Sequence, residues 1–394
     1  MSVSDSGKAI FHEMPIAKAC RAAEENQVPE MTAVDESNNM ARPFYYTDGL
    51  ILETQMLDLV RCRRQWTSKA SFIRGLTLMI LAGLTGWAVA QQTNDKETPI
   101  GPRWWPSEWG AGDQRGAANR LTPDKVLEAN KLIRQGKVFS LGRVYEHGMP
   151  LPGKRHFSLT IPGSPTYPPA GKNQGVFFDE MFSGEIGQVG TQFDGLGHAG
   201  VRIGDDDYFY NGFKRTEFAT PFGLEKLGIQ NVGPIFTRGI LLDVAAHRKT
   251  KRLPAGYVIS PDDLEACLTS AKLTIHPGDV VLLHTGHGEL WMKDNEAYGT
   301  AEPGIGMAAA RWLSEKKIVL VGADSWSIEV VPPEDPERPY PVHQWNIVRN
   351  GIYHLENLDL SELAAEKVYE FAFVFCPLRL KGATGSPGNP IAIK

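Results

Sequence analysis

Gln188-Val-Gly-Thr-Gln192-Phe-Asp194-Gly-Leu-Gly-His198 joins side chains able to bind a cation to glycines that let the chain turn. Groups able to bind a cation recur at Gln188, Gln192, Asp194 and His198, and Val, Phe, Leu or Gly occupy most places between. Alternate residues of a strand share one face, so an extended 188–194 turns Gln188, Gln192 and Asp194 toward one pocket. Gly195 and Gly197 let the backbone turn sharply at no Cβ cost, which brings His198 back toward the same point. A carboxylate, an imidazole and two amide oxygens then converge, a donor set that favours a hard divalent cation such as Mn²⁺ or Mg²⁺ over thiophilic metals. The same residues also read as a turn in which Asp and Thr satisfy backbone groups.

Outward from this stretch, 394 residues with 42% hydrophobic and 22% charged side chains describe an ordinary globular protein. The net charge of −5 argues against nucleic acid as a partner, since no basic excess would neutralise phosphates. Cys20, Cys62, Cys267 and Cys376 are widely spaced and form neither a zinc-binding pattern nor a disulfide framework. Residues 1–55 lack a sustained apolar period and read as poorly ordered or as an over-long start, with Met56 a natural alternative initiator. Residues 56–90 combine basic Arg61, Arg63 and Arg64, an apolar run from Leu76 and an Ala88-Val-Ala90 site, the three parts of a signal peptide. The run falls short of the roughly 20 apolar residues of a membrane span; an uncleaved anchor is the alternative. The expectation is a secreted or periplasmic chain, cleaved near Ala90, with no stable membrane insertion afterwards.

Residues 91–394 carry no linker, low-complexity tract or repeat and read as a single domain. Thr122-Pro123-Asp124 predicts a capped helix to about Gln135, and further helices are expected at 260–271 and 307–316. Strands are expected near 138–141, 157–161, 175–178, 234–244, 279–285, 318–324 and 372–376. Buried strands alternating with helices predict an α/β fold with a partly mixed sheet. Trp109 beside Asp113 and Gln114, with Phe177 and Phe178, is expected to wall a pocket for a planar substrate. His343 and Glu356 offer further ligands; Glu356 lies in an apolar run, where a cation would offset an otherwise costly charge.

Asp113-Gln-Arg-Gly-Ala-Ala-Asn119, the 188–198 stretch, Tyr210-Asn-Gly212, Gly278-Asp-Val-Val-Leu-Leu283, the His343 to Glu356 pair and Gly382-Ala-Thr-Gly-Ser-Pro387 occur in that order. Together they resemble the cyclase family of metal-dependent hydrolases, which includes bacterial kynurenine formamidase, isatin hydrolase and a lactone hydrolase. The resemblance spans nearly all of 104–394. It implies a compact α/β/β fold, a homodimer or homotetramer, and hydrolysis of a small amide, lactam or lactone by a metal-activated water. The family signature runs His-x-Gly-Thr-His-x-Asp-x-Pro-x-His. This chain keeps Gly190, Thr191, Asp194 and His198 but has Gln188 and Gln192 at the two leading His positions and Leu196 at the Pro position. By that resemblance Gln188, Gln192 and Asp194 hold one metal, Asp194 and Glu356 bridge toward a second beside His343, and His198 is the acid/base. The expectation for this chain is one well-occupied site, Mn²⁺ or Zn²⁺, held by Asp194, His343, Glu356 and one or both glutamines, with His198 and Glu356 in the chemistry. The alternatives are a metal-dependent lyase or cyclase using the same residues, and a binding protein without catalysis.

Overall fold

The computed structural model describes residues 97–163 and 167–394. The expected leader at 56–90 and the segment 1–55 lie outside the described residues. Nine strands pair into one sheet: β1 (Val138–Ser140), β2 (Gln192–Asp194), β3 (Ile235–Asp243), β4 (Val280–His284), β5 (Leu320–Ala323), β6 (Tyr353–Glu356), β7 (Glu370–Phe375), β8 (Gly385–Pro387) and β9 (Ile391–Ile393). Their order across the sheet is β8-β2-β6-β5-β4-β3-β7-β9-β1. The middle four, β3, β4, β5 and β6, run parallel. Strands buried on both faces need continuous apolar sequence, and Val280 to Leu283 and Leu320, Val321 and Ala323 supply it, none more than 1% exposed. The flanking strands are antiparallel, so the sheet is mixed, as the sequence predicts.

The longest helices among the described residues are α1 (Pro123–Asn130), α2 (Pro261–Ala271) and α3 (Met307–Glu315). Helix α2 begins with Pro261 at its first position and a reciprocal cap, in which Ser260 Oγ accepts from Asp263 N and Asp263 Oδ2 accepts from Ser260 N at 3.0 Å. Helix α1 stops at Asn130, short of the expected Gln135, because the Gln135 amide donates to the Lys394 carbonyl at 3.0 Å as the chain moves off to enter the sheet. No helix among the described residues is long and apolar enough to cross a membrane.

Strand β8 at one edge is followed after three residues by β9, next to the opposite edge. Seven strand spacings in a flat sheet would separate them by about 34 Å, whereas four Cα–Cα steps reach at most about 15 Å. The sheet therefore curls on itself. The curl brings Arg143, just beyond β1, to donate its amide to Thr191 Oγ1 at 2.7 Å, at the start of β2.

That approach fixes the stretch from Gln188 to His198. Gly190 sits at φ +61°, and a Cβ there would lie 2.6 Å from the Tyr145 ring, so only glycine fits. Thr191 Oγ1 donates to Asn357 O at 2.9 Å, Asn357 Nδ2 donates to Gly190 O at 2.7 Å, and Tyr298 OH donates to Asn357 Oδ1 at 2.6 Å, all in the interior. Tyr298→Phe leaves the Asn357 oxygen without a donor, so it is expected to cost about 1–3 kcal/mol and lower Tm by several degrees. Differential scanning calorimetry checks this, and an unchanged Tm would show that the network does not hold the loop.

Candidate metal centre

Strand β2 lies antiparallel to β6 with Asp194 opposite His354 and Gln192 opposite Glu356. His354 and Glu356 are two apart on one strand, hence on one face, and the register places them beside Asp194. His343 comes in from the short helical turn Pro341–His343, which continues into a π-helical turn at Gln344–Arg349. One ligand atom each from Asp194, His343, His354 and Glu356 lies within 4.8 Å of the others.

The partners of these atoms decide what they can hold. Glu329, buried, accepts the backbone N–H groups of Val342 and His343 at 3.1 Å and the His343 Nδ1–H at 2.5 Å. That contact orients the ring and leaves Nε2 facing Glu356 Oε1 at 3.4 Å and Asp194 Oδ2 at 3.7 Å. Burial draws the His343 imidazole down, but Glu329 and Glu356 outweigh it and hold it well above its ordinary value. Burial, reinforced by the charges of His343 and His198, holds His354 well below its own, so that ring is neutral with a lone pair to offer. Its Nε2 lies 3.0 Å from the Asn346 amide. With that amide turned to present its oxygen, His354 Nε2–H donates to it and Nδ1 faces the other three side chains as an acceptor.

Burial, followed by the neighbouring Asp194 charge, pushes the Glu356 carboxyl up to about 7. Two carboxylates this close repel unless a positive charge lies between them. Among the described residues Asp194 Oδ2, Glu356 Oε1 and His354 Nδ1 are buried without a hydrogen-bond partner. Three orphaned acceptors that converge with His343 fit a divalent cation, and two imidazoles with two carboxylates suit ions such as Zn²⁺, Mn²⁺ or Fe²⁺.

His198 lies beside this group as the sequence predicts, its Nε2 3.8 Å from Asp194 Oδ2. Burial lowers its pKa, only partly countered by Asp194. The turn that returns it depends on Gly195 for space rather than for a left-handed backbone: a Cβ at Gly195 would meet the Thr384 carbonyl at 2.7 Å.

Four expectations need correction. Gln188 does not present an oxygen to the cluster: its Nε2 donates to Asp194 Oδ1 at 2.7 Å and its Oε1 accepts from Arg155. Gln192 donates Nε2 to Glu356 Oε2 at 2.5 Å, because a carboxylate draws the N–H end of an amide, and only its Oε1 stays unpartnered. Trp109 lies under the Arg120 guanidinium at 4.7 Å, and Phe177 and Phe178 are more than half exposed on an outlying hairpin region. A cavity of about 730 Å³ opens over the cluster, walled instead by Trp326, Tyr340 and the 152–155 loop, with His198, His343, Gln192 and Glu356 at its base. The missed ligand is His354, and the signal for it was the i, i+2 pair with Glu356 in a short apolar strand.

A cyclase family model matches residues 141–330. A solved structure described as a novel cyclase is 34% identical, with a TM-score of 0.65 over 73% of this chain and 98% of its own. The chain belongs to the cyclase family. Isatin hydrolase A from Ralstonia solanacearum, 19% identical with a TM-score of 0.50 over 70% of this chain and 98% of its own, shares the fold. Among curated proteins none matches this chain. Family membership makes this cyclase an enzyme, and the α/β architecture with a mixed sheet is the one expected from sequence.

In this cyclase Glu329 hydrogen-bonds His343 and forms no hydrogen bond or ion pair with the other three cluster side chains. Glu329→Gln keeps the shape and removes the charge that steadies the ring, and it is expected to weaken cation retention about 10–100-fold, the usual effect of losing a partner behind a histidine ligand. Competition with a chelator measures this directly. Unaltered retention would show that His343 does not ligate.

Proposed function

We propose that this enzyme is a metal-dependent hydrolase that opens a small amide, lactam or lactone. The observation that carries the reading is the set of orphaned, buried acceptors on Asp194, His354 and Glu356, gathered with His343 at the base of a cavity beside His198. When bound there, a divalent cation, Mn²⁺ or Zn²⁺, supplies Lewis-acid polarisation of a carbonyl and lowers the pKa of water toward neutrality. The protein residues do the rest. His198, neutral and open to the cavity, takes a proton from the attacking water and returns it to the departing nitrogen or oxygen as the C–N or C–O bond breaks. Gln188 and Gln192 fix the two carboxylates by donating to Asp194 Oδ1 and Glu356 Oε2, which leaves the opposite oxygens directed inward. Trp326 and Tyr340, their rings nearly perpendicular at 87°, form a wall against which a flat substrate lies.

Turnover in ¹⁸O-labelled water tests the reaction class on a panel of aryl formamides, isatins and unsaturated lactones. Label in the product carboxylate is the expected result. Unlabelled product formed only in the presence of metal would replace hydrolysis with lyase chemistry, and tight binding of the panel without turnover under any metal would leave a binding protein.

A further inference from the structure

The cavity wall is unevenly charged. Apart from the cluster's own His343, the cations that line it are Lys154 and Arg155, on the loop above the base, and among the described residues the one carboxylate in its lining is Glu356, which faces Gln192 and His343. Arg155 is half-buried, and its hydrogen bonds go to uncharged oxygens, Nη1 to Pro152 O at 3.2 Å and Nη2 to Gln188 Oε1 at 3.4 Å. Among the described residues no carboxylate forms an ion pair with it. Gln188 explains how a guanidinium stays this close to Asp194 without being neutralised by it. One amide spans the two, donating to Asp194 Oδ1 at 2.7 Å and accepting from Arg155, so the arginine is tethered one side-chain length from the cluster with most of its N–H groups unspent. The guanidinium also stands 5.9 Å from the Trp326 ring centroid, on the aromatic wall.

We infer that the substrate carries a carboxylate beside a flat apolar body, and that Arg155 holds this carboxylate while the scissile bond lies over the Asp194, His343, His354 and Glu356 cluster. The planar fork of a guanidinium matches a carboxylate through two parallel N–H···O bonds. Lys154, exposed on the same loop, adds attraction without geometry. A cavity of about 730 Å³ accommodates a ring system of one or two rings together with its acid group. The inference deepens the hydrolase reading and rests on it for the position of the scissile bond, but the recognition of the anion stands on the cavity itself.

The test is calorimetric titration of benzoate and of benzamide, equal in shape and different in charge, into the metal-loaded parent and its Arg155→Gln and Arg155→Lys variants. Benzoate also has affinity for a cation, so the ratio of benzoate to benzamide affinity, compared between parent and variant, isolates the arginine. That ratio is expected to fall about 10–100-fold in Arg155→Gln, the range for a charge-assisted hydrogen bond, and to recover in part in Arg155→Lys, which keeps the charge and loses the fork. In the parent it is expected to fall with added salt. A ratio unchanged by Arg155→Gln, or a parent that prefers benzamide, overturns the inference. The titration requires no turnover, so failure to hydrolyse any amide or lactone would sink the proposed reaction and leave the anion result to stand or fall separately.

Discussion

Asp194→Asn is expected to abolish retention of the cation and to lower kcat/KM by more than the 10–100-fold typical of a residue one step behind a ligand. Asp194 Oδ1 is held by Gln188, and its other oxygen, buried without a hydrogen-bond partner, faces His198 at 3.8 Å and His343 at 3.7 Å, where a cation would meet it. An amide in its place turns an N–H₂ toward one of these and supplies no negative charge. Loss of metal through misfolding would look different. Asp194 is the neighbour whose charge helps to push Glu356 up to about 7, and removing that charge relieves a repulsion in the metal-free protein. The metal-free variant is therefore expected to be at least as stable as the metal-free parent. Elemental analysis after dialysis, with thermal unfolding of both metal-free proteins, separates the two outcomes. A variant that keeps its metal stoichiometrically would contradict the assignment.

His198→Ala is expected to lower kcat by about 10²–10⁴-fold, the range for a general acid/base, with metal content close to the parent's. His198 lines the cavity and approaches Asp194 at 3.8 Å, yet it stands outside the four side chains whose ligand atoms converge. Metal lost in step with activity would make His198 a ligand instead.

The framework of this fold is legible in the chain because buried parallel strands must be apolar throughout. The runs at 235–243, 280–284 and 320–323 are strands, and 261–271 and 307–315 are helices, within a few residues of where the sequence puts them. Strands β2, β6, β8 and β9 are three or four residues long, polar positions break the first three and β9 is only Ile-Ala-Ile, so little local marks them. Their pairing comes from the curl of the sheet. The site divides along the same line. Asp194, His343 and Glu356 are brought together as expected, and His198 returns beside them. His354 is not legible in the same way, since its place in the cluster depends on lying opposite Asp194 across two paired strands.

Glu329 is 14 positions from His343 in an irregular segment, and no spacing rule connects them. The glutamines show how a motif misleads when chemistry changes under it. An amide has an N–H end, and beside two carboxylates that end is the one drawn inward. Other parts of the recognised pattern turn out to be scaffolding: Asp113 accepts from the amides of Arg115 and Gly116 and from the Tyr210 hydroxyl, and Asn211 Oδ1 accepts from Ser107 N. Trp109, Phe177 and Phe178 lie away from the cavity because loops, the least readable part of a sequence, build its wall.

One cation held by Asp194, His343, His354 and Glu356, with the glutamines serving the carboxylates, has a spectroscopic signature. The metal K-edge X-ray absorption spectrum of the protein loaded with one equivalent of zinc reads this shell, because imidazole rings leave a multiple-scattering pattern that counts them. The expected spectrum is that of a first shell of nitrogen and oxygen that contains two imidazoles. A shell with no imidazole, or with only one, would contradict it.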